Sequence, residues 1–582
     1  MAKTFKSQMV HVRNSTTKEF ESLLTAKGGK GDKGDRGNAA TVKIGTVTRV
    51  DSTEPASVTN SGTTNDAIFN FNIPKGDPGF DLKQYIENYY ALRRTGKVYQ
   101  TKLWKFASNP SSTGEKMLDN AGLVFEPSTD TVEGKDDYLN GQHPMFEWIN
   151  VNYKRNSYGA PYPVAIEGTE EYKDDGSIDV GVMQMSFYGK WDTSNADYDL
   201  ITISDMPHPE LGLEPWSECN DGNGGVLPWC IGSKYFSGKA TDGLFRSFPN
   251  SKPELYQSHN NMITNYQKKG EGYWGAGCEA NLFQIIFNVI KGATKNSQSL
   301  FKGCCDYNYQ YTASIQRSTN ETYFPVTKAQ AANLIVGSSV YVGYGANDSG
   351  KLNIERGISS MRKYADLARI IKIEDIDSSN SAVYLDVSTG FNTTPVGITD
   401  TLTSPIYLST MPWYSGTTDK VIGKHDGSYV SNTSGKYPYR VQGREYAIGA
   451  YFVASNVVMD FQSDYSKNVY YAPKGLTHSS ADATIKSTYT LLGNIPAISG
   501  GGDWWIGDIA VDFNNGIQYP SVIGSSESTG WADRCYAGGN ATSGTREYLL
   551  AGLLWNGLLA GSTLVNCLFG LGTAHWDFCG RD

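Results

Sequence analysis

The chain has 582 residues, enough for about three or four domains of ordinary size, which excludes a single small module. Charged residues make up only 19% and aromatics reach 12%, with Gly, Tyr, Ser and Asn abundant, a composition of β-rich fibres and adaptable contact surfaces. A net charge of -9 argues against phosphate-backbone binding as the main task, so nucleic acid is not an expected partner.

Residues 1–50 carry ten Lys/Arg against four Asp/Glu, so the basic N-terminal stretch differs in kind from the acidic remainder. It has no apolar core or small-residue cleavage site of a signal peptide, and synthesis in a reducing cytoplasm is the expectation. Thr16-Thr17-Lys18-Glu19 reads as a capping box, predicting a short helix from Lys18 to Leu24. Glycine then recurs every third residue from Gly28 through Gly31, Gly34 and Gly37, and Gly76-Asp77-Pro78-Gly79 echoes it. A flexible Gly-rich linker has this look, and so does a collagen triple helix, whose crowded axis admits only glycine. The triple-helical reading implies three chains. Between the two runs, Thr41 to Val47 and Ala67 to Ile73 alternate with period two and predict strands.

Leu82 to Leu92 predicts a helix, followed by loops to about residue 140. Asn281 to Phe301 predicts an amphipathic helix, since Leu282, Ile285, Ile286, Val289, Ile290 and Ala293 recur at helical spacing within a Tyr/Trp/Gly-rich β region. Residues 311–405 read as a small β-barrel inserted in the larger domain: Ser339 to Tyr344, Arg369 to Ile373, a turn at Asp377 to Ser381, then Ala382 to Val387. Further strands are expected at Tyr446 to Val453 and Trp504 to Ile509.

Motifs of enzyme chemistry are weak. Gly270-Glu271-Gly272-Tyr273-Trp274-Gly275 fits a dinucleotide fingerprint in letters, but no apolar strand precedes it. Cys219 to Gly224 has the oxygen-rich look of a calcium loop without its spacing or terminal Glu, so a turn is expected, and no metal ligand set or cofactor is assigned. The eight cysteines form no C-x-x-C pair and are expected as buried or free thiols.

The last segment is the most informative. From Tyr548 to Trp576 there is no Asp, Glu, Lys or Arg, yet Gly552, Gly557, Gly561, Gly570, Gly572, Asn556 and Asn566 interrupt it, so a membrane span is not expected. Leu doublets break strand alternation while Gly and Asn break helical turns. After Glu547 the chain has no Lys, Glu, Gln, Met, Ile or Pro.

Ser543-Gly544-Thr545-Arg546-Glu547, Trp555-Asn556-Gly557-x-x-Ala560-Gly561, Ala574-x-Trp576 and Arg581 together resemble the variable region of diversity-generating retroelement target proteins, which carry a C-type-lectin-like domain of the formylglycine-generating-enzyme type. The resemblance implies that adenine mutation of Asn codons produces Leu, Phe, Tyr, Ser, Cys, His, Asp, Thr or Gly, but not Trp, Lys, Glu, Gln or Met. It implies variable, receptor-contacting positions at Tyr548, Leu550, Leu553, Leu554, Leu558, Leu559, Leu564, Cys567, Leu568, Phe569, Thr573, His575, Asp577 and Phe578. It implies a scaffold of Arg546, Trp555, Asn556, Gly557, Gly561, Trp576 and Arg581. Ala293 to Ser299, at the end of the predicted amphipathic helix, is similar to the first helix of that fold, and Trp504 to Asp508 to the strand before its variable loops.

Gly31 to Ala40 followed by Phe69 to Asp77 also resembles tail-fibre proteins of phages and prophages. The expected fold is therefore α+β and β-rich. Its parts are an N-terminal attachment helix (1–27), a collagen-like segment (28–39), a small β domain (40–80), a connector (81–140), a lectin-like domain (141–310 and 406–582) holding the inserted barrel (311–405), and a variable region (544–582). The expected function is a homotrimeric host-surface adhesin of the virion tail. Tail or baseplate proteins would bind its N-terminus, and a bacterial surface protein or glycan its tip. An invariant structural subunit, a tailspike depolymerase, or an oxidase using Cys535, Cys567 and Cys579 are the alternatives.

Overall fold

The computed structural model describes residues 11–13, 20–22, 41–50, 54–74, 81–105, 114–345, 355–395, 405–497, 503–526, 529–536 and 541–582. It divides into two compact units, Met1–Asp81 and Leu82–Asp582. The collagen-like run at 28–39 and its echo at 76–79 lie outside the described residues.

In the first unit, Phe20–Ser22 pairs antiparallel with His11–Arg13, which replaces the helix expected from Lys18 to Leu24 over those residues. A capping box contributes only about 1 kcal/mol, and an isolated helix shorter than about 12 residues does not hold itself, so a partner strand prevails. The two strands expected from alternation are present as Thr41–Val50 and Asp66–Pro74, paired in parallel, with Ser57–Asn60 antiparallel on the far edge. Register places Val42, Ile44, Val47, Val58, Ala67, Phe69, Phe71 and Ile73 on one face, with Arg49 at its end. The opposite face carries Lys43, Thr48, Ser57, Asn70 and Asn72. The apolar face is open: Val42 is 68% and Ile44 75% exposed.

The second unit is β-rich with few helices. The helix Leu82–Ala91 matches its expectation and buries Ile86 and Tyr90. Residues 81–140 are no connector, because Val98–Trp104 lies inside a five-stranded sheet, between Tyr198–Ser204 and Glu115–Leu118. Its alternation turns Tyr99, Thr101 and Leu103 inward.

The central helix is Glu279–Gly292, shorter than expected because Ala293 takes a left-handed conformation and donates its N–H to the Val289 carbonyl. A separate turn of helix, Ser297–Leu300, follows. The helix is buried all round rather than amphipathic at a surface, with every residue from Ala280 to Lys291 inside. Its core joins the five-stranded sheet, through Tyr99, Leu103, Ile201 and Ile203, to the strand Asp503–Asp512, through Ile506 and Ile509. The buried Lys291 is paired with Asp136 and Asp426 at 2.8 Å each, the condition under which an interior charge is tolerated.

The described strands between Gln310 and Met411 form a six-stranded sheet around a core of their own, including Phe324, Val326, Val340, Val342, Ile370, Val383 and Leu408. Its edges are Gln310–Thr312 and Tyr323–Thr327, and Ser314 N–H donates to the Pro325 carbonyl at 3.0 Å, so the sheet is nearly a closed barrel. The expected strands at 339–344 and 369–373 lie within Ser339–Tyr344 and Ala365–Asp375, and the one at 382–387 overlaps Asn380–Leu385, which ends two residues earlier.

A nine-stranded sheet carries the end of the chain. Tyr451–Phe461 sits between Lys467–Tyr471 and Gly544–Leu550, and the final strand Phe578–Cys579 runs parallel beside Tyr451 and Phe452. The strand expected at 446–453 is split, Arg444–Tyr446 and Tyr451–Phe461 belonging to different sheets, whereas Trp504 to Ile509 lies within Asp503–Asp512. Among the described residues, no helix is long and apolar enough to cross a membrane.

Candidate functional site

The segment from Tyr548 to Asp582 is not a free loop. Tyr548, Leu550, Leu553, Leu554, Leu564, Cys567, Asp577 and Phe578 are all buried, so the expectation that they contact a receptor is corrected. Tyr548 and Leu550 belong to the strand Gly544–Leu550, whose neighbours are Tyr451–Phe461 and Val565–Asn566. Leu554 and Cys567 enter the core that holds Trp413, Ile448 and Trp576, while Leu553, Leu564 and Phe578 pack with Met262 and Tyr451. Their apolar character, read as the product of variation, serves the interior.

Leu558 is 74% exposed on the short turn of helix Gly557–Leu559, and Leu559, Leu568, Phe569, Thr573 and His575 are half-buried. Trp555, expected as scaffold, is instead 41% exposed. Its ring meets the buried Trp576 edge to face at 5.2 Å, and His575 lies between Trp576 and Phe569, at 5.8 and 6.2 Å from their centroids. Trp555, Trp576, His575 and Phe569 thus form a continuous aromatic row with Trp555 at its exposed end.

Charge reaches this row from the barrel. The guanidinium of Arg356 stands 5.8 Å from the Trp555 ring and 5.4 Å from the Trp576 ring, held by the Thr410 carbonyl at 3.1 Å and Asn308 Oδ1 at 2.7 Å. Burial lowers its pKa to about 10, which leaves it charged at neutral pH. His575 Nδ1 bonds the Asp577 carboxylate, and Glu355 Oε1 lies 3.8 Å from Nε2. Burial opposes the imidazolium, but the Asp577 hydrogen bond and charge outweigh it and hold His575 above its usual value. No sequence signal tied Glu355 and Arg356 to this surface, because the barrel meets the tail only in three dimensions.

The remaining expected scaffold residues sit where backbone must be held. Asn556 Oδ1 accepts from the Leu553 N–H at 2.8 Å and its Nδ2 donates to the Tyr536 hydroxyl at 3.1 Å, closing the turn. Gly557 has φ +55° and donates its N–H to the Cys305 carbonyl at 2.7 Å. A Cβ on Gly561 would lie 1.9 Å from Asp533 Oδ1. Arg546 stands over Phe461, 5.6 Å from its centroid. Arg581 is buried and donates to Ser233 and to the Glu445 carbonyl. From the central helix, Asn281 Nδ2 donates to the Ser562 carbonyl at 2.8 Å, and Ser297 Oγ accepts the Ser562 N–H at 3.0 Å.

Among the described residues no cysteine is in a disulfide and all eight are buried; Cys567 and Cys579 thiols donate to the carbonyls of Tyr536 and Tyr451. No cluster of His, Cys, Asp and Glu among the described residues is arranged to hold a metal. In the loop after Cys219, Asp221 Oδ1 accepts the N–H groups of Asn223 and Gly225, as a turn requires. No family model matches this sequence, and no curated protein matches it.

Proposed function

We propose that the protein is a receptor-binding tail-fibre protein of a phage or prophage, homotrimeric, attached to the particle by its N-terminal part and contacting the host surface with a lectin-like C-terminal tip. The observation that carries this reading is the row of Trp555, Trp576, His575 and Phe569, flanked by Arg356 and seated on buried strands, with the exposed Leu558 three residues after Trp555. Aromatic and arginine anchors dominate binding energy at interfaces, and a rigid support lets contact residues change without unfolding the protein. Several tips on one particle multiply a weak single contact through effective concentration.

Assembly is supported by the first unit. A three-stranded sheet with one face of exposed Val and Ile is left with an uncovered apolar surface, and further copies of the same chain supply a cover of matching character.

Diversification of the tip by adenine-directed mutagenesis is part of the same proposal, now confined to Leu558, Leu559, Leu568, Phe569, Thr573 and His575. Sequencing codons 548–582 across a phage or lysogen population tests it. Substitutions are expected at those six codons, at positions where a nearby template copy carries adenine, with few at Leu553, Leu554, Leu564 and Phe578. An invariant segment without a template copy overturns it.

A further inference from the structure

A groove of about 430 Å³ opens elsewhere on the second unit, beside the strand Trp148–Arg155, and none of its lining residues belongs to the tip surface. Its volume lies within the range of about 300–1,000 Å³ common to small-molecule sites, but its wall is more polar than most.

The wall is preorganised. Lys234 Nζ is 2.7 Å from Asp419 Oδ1, and the Tyr235 hydroxyl donates to Asp419 Oδ2. Lys424 Nζ donates to the Trp148 carbonyl at 3.2 Å. Behind them the buried Arg440 donates to the carbonyls of Thr418, Gly423 and His425, which stiffens the wall. Two residues along the same strand from Trp148, Asn150 Nδ2 donates to Glu167 Oε2 at 3.0 Å. Tyr172, half-buried, adds an aromatic ring to the lining.

The charges select the ligand. Lys234, Lys424 and Arg440 line the groove together with Glu167, Asp174 and Asp419. An anion would meet the carboxylates and a cation the ammonium groups. A neutral polyhydroxylated molecule meets donors and acceptors together and offers C–H faces to Tyr172. We infer that this groove is a second binding site, for a neutral saccharide of one or two sugar residues, independent of the C-terminal tip.

Titration of the full chain with an array of neutral mono- and disaccharides (glucose, galactose, rhamnose, N-acetylglucosamine, N-acetylgalactosamine and their disaccharides) tests it by calorimetry or glycan array. At least one is expected to bind, with affinity falling about tenfold or more in Asn150→Ala and in Tyr172→Ala at unchanged melting temperature. Leu558→Asp, a tip variant, is expected to leave that binding intact, so failure of the tip reading and failure of the groove reading are separable. Absence of binding across the array, binding abolished by Leu558→Asp but not by Asn150→Ala, or preferential binding of inorganic phosphate or Ca²⁺ in the groove would overturn the inference.

Discussion

Leu554 and Leu558 are the same residue type four positions apart, and the structure assigns them opposite roles. Leu554 is fully buried beside Trp413 and Ile448, so Leu554→Ala is expected to cost about 2–5 kcal/mol. Leu558→Asp, at a position 74% exposed, is expected to change stability by no more than about 0.5 kcal/mol while weakening adhesion. Chemical denaturation of the two variants checks the contrast, and equal losses would refute the assignment of core and surface. Asp533 carries a pH dependence. Burial pushes its carboxyl up to about 7, against hydrogen bonds from the Thr563 N–H and hydroxyl. An unfolded Asp titrates near about 3.9, so between about pH 4 and pH 7 the folded chain binds a proton that the unfolded chain does not. This contribution to stability falls as pH rises through that window and is flat above it. Glu445, likewise raised to about 7 by burial, acts in the same direction. Asp533→Asn keeps the acceptor for Thr563 and removes the ionisation. Melting temperatures from pH 5 to pH 8 are expected to fall less steeply in the variant than in the parent, and parallel curves would exclude this source.

The strand Phe578–Cys579, with Arg581 and Asp582 after it, locks the end of the tail. Arg581 donates to Ser233 and Glu445, and Asp582 pairs with Arg155 at 3.1 Å and with Lys269, which also holds Asp179. Removing residues 578–582 takes away a parallel strand, leaves Arg155 without its carboxylate and leaves Lys269 with Asp179 alone, a loss of about 3–5 kcal/mol for one broken buried pair alone. Limited proteolysis of that truncated protein is expected to cut between residues 541 and 577 under conditions in which the full chain resists. Resistance equal to the full chain would mean that the tail is held by its Leu packing alone. The placement of Arg356 belongs to the same level: a barrel with its own core carries the cation that flanks Trp555, so the barrel forms part of the surface around that ring.

For the molecule as a whole, the exposed Val and Ile face in the first unit is the feature that a single chain leaves unresolved. If copies of the chain cover it, Val42→Asp with Ile44→Asp will shift the full-length protein from trimer to monomer in analytical ultracentrifugation, and the second unit will keep its near-ultraviolet circular dichroism. A trimer unaffected by both substitutions would move the assembly interface elsewhere. Much of the local structure was readable from residue order. Thr41–Val50, Asp66–Pro74, Leu82–Ala91, Ser339–Tyr344 and Ala365–Asp375 follow period two or 3.6, because alternation records which side of a strand or helix is dry. The turn at Asn556 and Gly557 was legible for the same reason, its chemistry being local. What the order of residues could not state is which dry side finds which partner. Leu553, Leu554 and Leu564 read as displayed contacts because Gly and Asn break every local pattern around them, yet strands almost a hundred residues away in sequence, around Tyr451–Phe461, take them inside. Sequence alone determined the β-rich class, the short elements and the amphipathic N-terminal strands. Only the tertiary structure decided which tail residues remain at the surface and that Arg356 joins them, since burial and cross-domain contacts arise from long-range packing that leaves no periodic trace in the chain.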